Sequence, residues 1–161
     1  MTSKSILICL SGLDTQEFIE RAVRHISLDR HLTLLYVVDT RSAEELGYSA
    51  PRTPGKPILT PEHANLMQNA EFQTAAAILN EAGEQCMQVG FNAQNIRREV
   101  RKGRPEQQII ELARDVDANI GLIVIGSAYK WGPHITPGPA NIGHVARSVV
   151  ENSPCDVLLL R

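Results

Sequence analysis

No stretch of this chain stays apolar for the ~18 residues that a bilayer-crossing helix needs, so no membrane partner is expected. Charge of one sign is not in surplus either. Sixteen Lys and Arg stand against 18 Asp and Glu, a formal net charge of −2. A nucleic-acid binder normally carries a basic face or stripe, so that partner class is not expected. The basic run Arg97, Arg98, Arg101, Lys102 and Arg104 reads as a solvated edge strand and loop. Cysteine is scarce: Cys9, Cys86 and Cys155 lie far apart and make neither a C-x-x-C pair nor a zinc spacing. They read as reduced, mostly buried thiols, the usage of a cytoplasmic protein.

Catalytic signatures are missing as well. There is no Walker A sequence and no G-x-G-x-x-G. Gly126-Ser127-Ala128 lacks the second glycine of a nucleophile elbow, which removes Ser127 as a candidate nucleophile. His25, His31, His63, His134 and His144 form no H-x-x-x-H helical pair, so no metal site is expected. No activated nucleophile or pair of carboxylates gathers at one place, and no catalytic residue is assigned.

What is present is enough for one core. The hydrophobic fraction is 43% over 161 residues, which fits a single domain spanning 1–161. The opening stretch has a short apolar run ending at Ser11-Gly12, too short for a signal peptide, and reads as a first strand over Ser5 to Leu10. Asp14 then offers an N-cap with Glu17 placed for a capping box, and Phe18, Ile19, Ala22, Val23 and Ile26 recur at helical spacing. Leu32 to Val38 reads as a second buried strand. Residues 39–60 hold Gly47, Pro51, Pro54, Gly55 and Pro57, the marks of a long irregular connection. Thr60-Pro61 starts a helix that keeps Ala75, Ile78, Leu79, Ala82 and Cys86 on one face and stops near Gly90.

A third strand, Ile96 to Arg101, is charged enough to sit near a sheet edge. Pro105 opens a helix with Ile109, Ile110, Ala113 and Val116 expected inward. Leu122 to Ile125 is a fourth strand, followed by a Gly/Pro-rich loop, a helix from about Asn141 to Asn152, and a last strand over Asp156 to Leu160. Strands separated by helices imply right-handed crossovers and a doubly wound α/β domain with a parallel sheet. Ligands bind such sheets beyond the carboxyl ends of the strands, where strand order reverses.

Gly103-Arg104-Pro105, the run Ile123 to Ser127, and the tail from Val145 to Arg161 together resemble the universal stress protein signature. Ile6 to Gly12 and Leu34 to Asp39 agree with the family's first two strands. The resemblance covers nearly the whole chain apart from the loops at 39–60 and within 127–142. It implies a Rossmann-like five-stranded sheet ordered 3-2-1-4-5, a homodimer formed through the last strand, and a cytoplasmic regulator of the stress response acting on a protein partner.

One branch of that family binds ATP through Gly, two residues, Gly, about nine residues, then Gly-Ser or Gly-Thr; the glycines admit the phosphates, and N–H groups at the helix start cradle them. Carried over, the resemblance implies a site for ATP or another adenine nucleotide at Leu10, Ser11, Val38, Gly126, Ser127, Gly143, His144 and Val145. The pattern departs at three places. Tyr129 replaces the second glycine, with Gly132 displaced; His144 stands where a hydroxyl is usual; Ser11 replaces an aspartate. His144 thus has two readings, a donor to a phosphate at the helix start or a polar residue facing solvent. Tyr129 and Trp131 could cover a base or pin their loop to the surface. Three functions remain open: a nucleotide-binding regulator without turnover, a nucleotide-free member acting by dimerisation and protein contact, and a hydrolase or nucleotidyl transferase on the same fold.

Overall fold

The run Ser-Ile-Leu-Ile-Cys-Leu forms β1 (Ser5–Leu10), and its two-residue alternation sends side chains to both faces of a sheet. Ile6, Ile8 and Leu10 enter one apolar cluster, and Leu7 and Cys9 join the other. A strand covered on both faces belongs at the centre of a parallel sheet. The computed structural model, which describes residues 3–12, 15–39, 61–127 and 142–161, places it there.

Among the described residues, the remaining elements are α1 (Thr15–Val23), β2 (Leu32–Asp39), α2 (Pro61–Val89), a short 3-10 turn (Ala93–Asn95), β3 (Ile96–Gly103), α3 (Pro105–Arg114), β4 (Ile120–Gly126), α4 (His144–Asn152) and β5 (Asp156–Leu160). All four strand pairings are parallel, and the sheet order is β3-β2-β1-β4-β5. This is the doubly wound α/β arrangement expected, with the order reversing between β1 and β4.

Two helices cover each face. Ile19 and Ala22 of α1 with Leu79, Ala82 and Cys86 of α2 pack on Ile6, Ile8 and Leu34. Ile109, Leu112 and Ala113 of α3 with Ala146 and Val149 of α4 pack on Leu7, Leu35 and Ile123. Leu7, Ile8, Leu34, Ile123, Val124 and Val149 have no exposed surface. Full burial of one such side chain contributes ~1.5–3 kcal/mol, so these two layers hold the strand ends, and the loops on them, in register.

The end of α2 lies at Gly90 because the chain turns left-handed there, at φ 123°. Gly90 N–H donates to the Met87 carbonyl at 3.1 Å and Phe91 N–H to that of Cys86 at 3.0 Å. That pair of bonds is a Schellman cap.

Three expectations shift. Val116 is not inward but 88% exposed. The α3 helix stops at Arg114, because Asp115 turns extended and its Oδ1 accepts the Asp117 N–H at 3.0 Å. An Asx-type turn therefore outcompetes another helical turn. Nor is the basic run wholly solvated. The Arg101 side chain is only 24% exposed and pairs with Glu99 at 2.6 Å. The exposed Arg98 donates from Nε to the Leu79 carbonyl at 3.3 Å and lies over Gly83, where a Cβ would collide with its guanidinium. Finally, α4 begins at His144, with Gly143 as its N-cap. Expectations for Asp14, Thr60, Tyr129, Trp131, Gly132, His134 and Asn141 lie outside the described residues.

Candidate functional site at the β1–β4 switch point

Where β1 and β4 part, their following connections leave in different directions and a cleft of about 750 Å³ opens above the carboxyl ends of the strands. Seven of the eight residues singled out in the sequence line it: Leu10 and Ser11 from the end of β1, Val38 from β2, Gly126 and Ser127 from β4, Gly143 and Val145 from the start of α4. The eighth, His144, is turned away from that lining. Its side chain is 71% exposed, with Nε2 3.8 Å from Oε1 of Glu106 on α3.

Backbone hydrogen bonds join the two ends of the loop between β4 and α4. Ser127 N–H donates to the Leu160 carbonyl at 2.6 Å, and Gly143 N–H donates to the Ser127 carbonyl at 3.2 Å. These bonds set the first turn of α4 against the cleft. No side chain caps that helix, so the N–H groups of its first turn keep the partial positive charge that favours an anion. The Phe18 ring of α1 packs over Gly126, where a Cβ would make an ordinary van der Waals contact of 3.5 Å with Cε2. Gly12, at φ 79°, lets the chain turn out of β1 over Tyr36 and Ile78.

Sequence reasoning passed over much of the wall. Phe18 and Arg21 come from one face of α1, Tyr36 and Asp39 from β2, Glu71 from α2, and Arg161 from just after β5. The spacing of Phe18 and Arg21, three apart on a helix, was a usable signal. Glu71 carried none, because it depends on how α2 is laid across β2.

The ionisable groups favour binding over covalent chemistry. Burial pushes the Cys9 thiol far above its ordinary value, with the nearby Cys155 as a smaller cause, so Cys9 stays protonated and a poor nucleophile. Burial also raises Tyr36, with the nearby Glu71 charge adding to it. The phenol is thus a hydrogen-bond donor at neutral pH. The hydroxyl residues Thr15 and Ser127 are 8% and 7% exposed and face the same space. Among the described residues, no group of three His, Cys, Asp or Glu side chains could hold a metal ion, and no helix is long and apolar enough to cross a membrane. The arrangement can seat a ligand with an apolar body and several polar groups.

A search of curated proteins gives no match. Among solved structures, the chain is similar to the universal stress protein UspA from Lactobacillus plantarum, with 28% identity, a TM-score of 0.69, and 100% and 99% of the two chains covered. It shares the fold of hypothetical protein MJ0577, at 20% identity and a TM-score of 0.72 over 99% and 96%. It also shares the fold of a universal stress protein in complex with cAMP, at 20% identity and a TM-score of 0.61 over 100% and 98%. The model of the universal stress protein family matches residues 2–161. Signature, strand order and family model agree, and this chain belongs to the universal stress protein family.

Proposed function

We propose that this universal stress protein is a cytoplasmic regulator that binds ATP or another adenine nucleotide at the β1–β4 cleft without appreciable turnover. The observation that carries the reading is the cleft itself. It is built on Gly126, Ser127 and the uncapped first turn of α4, and it is large enough for a small-molecule ligand. The likeness to a family member in complex with cAMP supports the same ligand class. Absence of turnover is supported by the protonated Cys9 and by the turn of His144 towards Glu106, away from the cleft lining where Ser127 sits.

Mass spectrometry of small molecules released from the natively purified protein tests the reading. An adenine nucleotide at near-stoichiometric yield is the expected result. A different ligand class would overturn it, and rapid phosphate release from added ATP would revive an enzymatic reading.

The second reading concerns assembly. β5 is a sheet edge, and its Val157, Leu158 and Leu159 are only partly buried within one chain. An apolar edge strand with free N–H and C=O groups invites antiparallel pairing with a second copy about a two-fold axis. The proposed output is then a regulatory protein partner that reads the dimer in its liganded or empty state.

A further inference from the structure

The wall of the cleft carries charges of both signs. Arg21 and Arg161 lie on the α1 and β5 side, while Asp39 and Glu71 lie on the β2 and α2 side. Glu17, one helical turn before Arg21, also lines the space. Among the described residues, neither arginine has a carboxylate within 4.0 Å, whereas Arg97 and Arg101 pair with Glu99 and His144 lies 3.8 Å from Glu106. A guanidinium lining a ligand cleft without a carboxylate partner keeps its full fork of donors for an anion.

The backbones of both arginines are anchored near one corner of the cleft. Arg161 follows Leu160, whose carbonyl accepts the Ser127 N–H at 2.6 Å, so its backbone is held beside Gly126-Ser127. Arg21 lies three residues after Phe18, on the helix face whose ring meets Gly126. At that corner the backbone donors are partly used up, since the N–H groups of Ser127 and Gly143 both serve protein carbonyls. Those two N–H groups are therefore not available to a phosphate.

We propose that Arg21 and Arg161 form a phosphate clamp for the nucleotide, supplying side-chain donors at the corner where the N–H groups of Ser127 and Gly143 are already taken. This rests on the nucleotide reading above and names the groups that hold the ligand's charged end. Planar guanidinium forks match phosphate oxygens and form strong charge-assisted hydrogen bonds. Across the cleft the negative charges of Asp39 and Glu71 would disfavour phosphate, which would direct the ligand's charged end towards the arginines. β5 and β2 are three strand spacings apart in the sheet, about 14 Å, a span bridged by a nucleoside with its phosphates.

The test compares adenosine, AMP, ATP and tripolyphosphate as ligands for the full chain and its Arg21→Gln, Arg161→Gln and double variants. Circular dichroism and thermal melting without ligand check that each variant folds. Wild type should bind ATP more tightly than adenosine. Each single substitution should weaken ATP about tenfold, equivalent to about 1.4 kcal/mol, and leave adenosine within about twofold. Arg21→Lys should recover part of the loss, because it restores charge without the fork. The clamp is overturned if folded variants hold ATP as well as wild type, or lose adenosine equally. If adenosine binds wild type and phosphates add nothing, the clamp fails while the nucleotide reading stands. If no adenine compound binds, that reading fails. Tripolyphosphate then decides the clamp alone: binding to wild type but not to the double variant supports it, and equal binding to both overturns it.

Discussion

Gly12 sits at φ 79°, and a Cβ there would come 2.9 Å from the Ile78 side chain. Gly12→Ala should therefore destabilise by about 1–3 kcal/mol, measured by urea denaturation, because both backbone strain and a clash are introduced. The effect should reach the cleft, since Tyr36 is the next atom group in contact. Val116 makes the opposite case. At 88% exposure, Val116→Asp should change stability by less than about 0.5 kcal/mol. Helical periodicity had assigned it to the core, and the Asp115 turn signal two positions from Asp117 was the overlooked clue. The thiols give a pH prediction with a definite sign. Burial pushes Cys86 up to about 11, partly opposed by Arg98, and raises Cys9 as well. In the unfolded chain these thiols ionise near their ordinary values, while the folded chain keeps them neutral. Their contribution is fully present below about pH 9 and should be lost as pH rises from 9 towards 11. Denaturation midpoints measured at pH 8 and pH 10.5 check this; an unchanged midpoint would contradict the burial of both groups.

Elements were more legible than residues, because they are set by runs and caps. β1, the Gly90 stop of α2, the Pro105 start of α3 and β5 all follow from local signals that the tertiary structure reinforces. α4 starts later than its local signals suggest because Gly143 is extended, at ψ 153°, and caps the helix; its N–H bond to the Ser127 carbonyl is long-range and has no local signature. The edge position of β3 was readable from its charge. The lie of Arg98 across α2 was not, since the glycine that admits its guanidinium is fifteen residues away on that helix. β5 carries the element-scale prediction. Leu159→Pro removes a backbone donor from an edge strand, where proline is tolerated within the chain but not in a new intermolecular ladder. Light scattering should give a dimer for wild type and a monomer for the variant. A wild-type mass of one chain would remove the proposed interface.

The strand order places three helix starts and four strand ends around one opening, which is why seven of the eight nominated residues meet there. Those seven follow backbone positions that a family signature encodes. The charged wall follows from how α1 and α2 lie on the sheet, and only three-dimensional packing reveals it. The exception, His144, shows the limit of carrying a role over by position: its backbone stays at the helix start, while its imidazole turns to Glu106. His144→Ser should therefore alter nucleotide affinity little, and pH profiles of binding from 6 to 8 should nearly coincide for the two proteins. The central claim is that the cleft takes an adenine nucleotide, and isothermal titration of the ligand-stripped protein with ATP tests it most directly. The account predicts saturable heat at one site per chain, with no phosphate released over the titration, and a stabilisation of about 2.7 kcal/mol at 100 times the dissociation constant. No heat with ATP, ADP or AMP at millimolar concentration would contradict it.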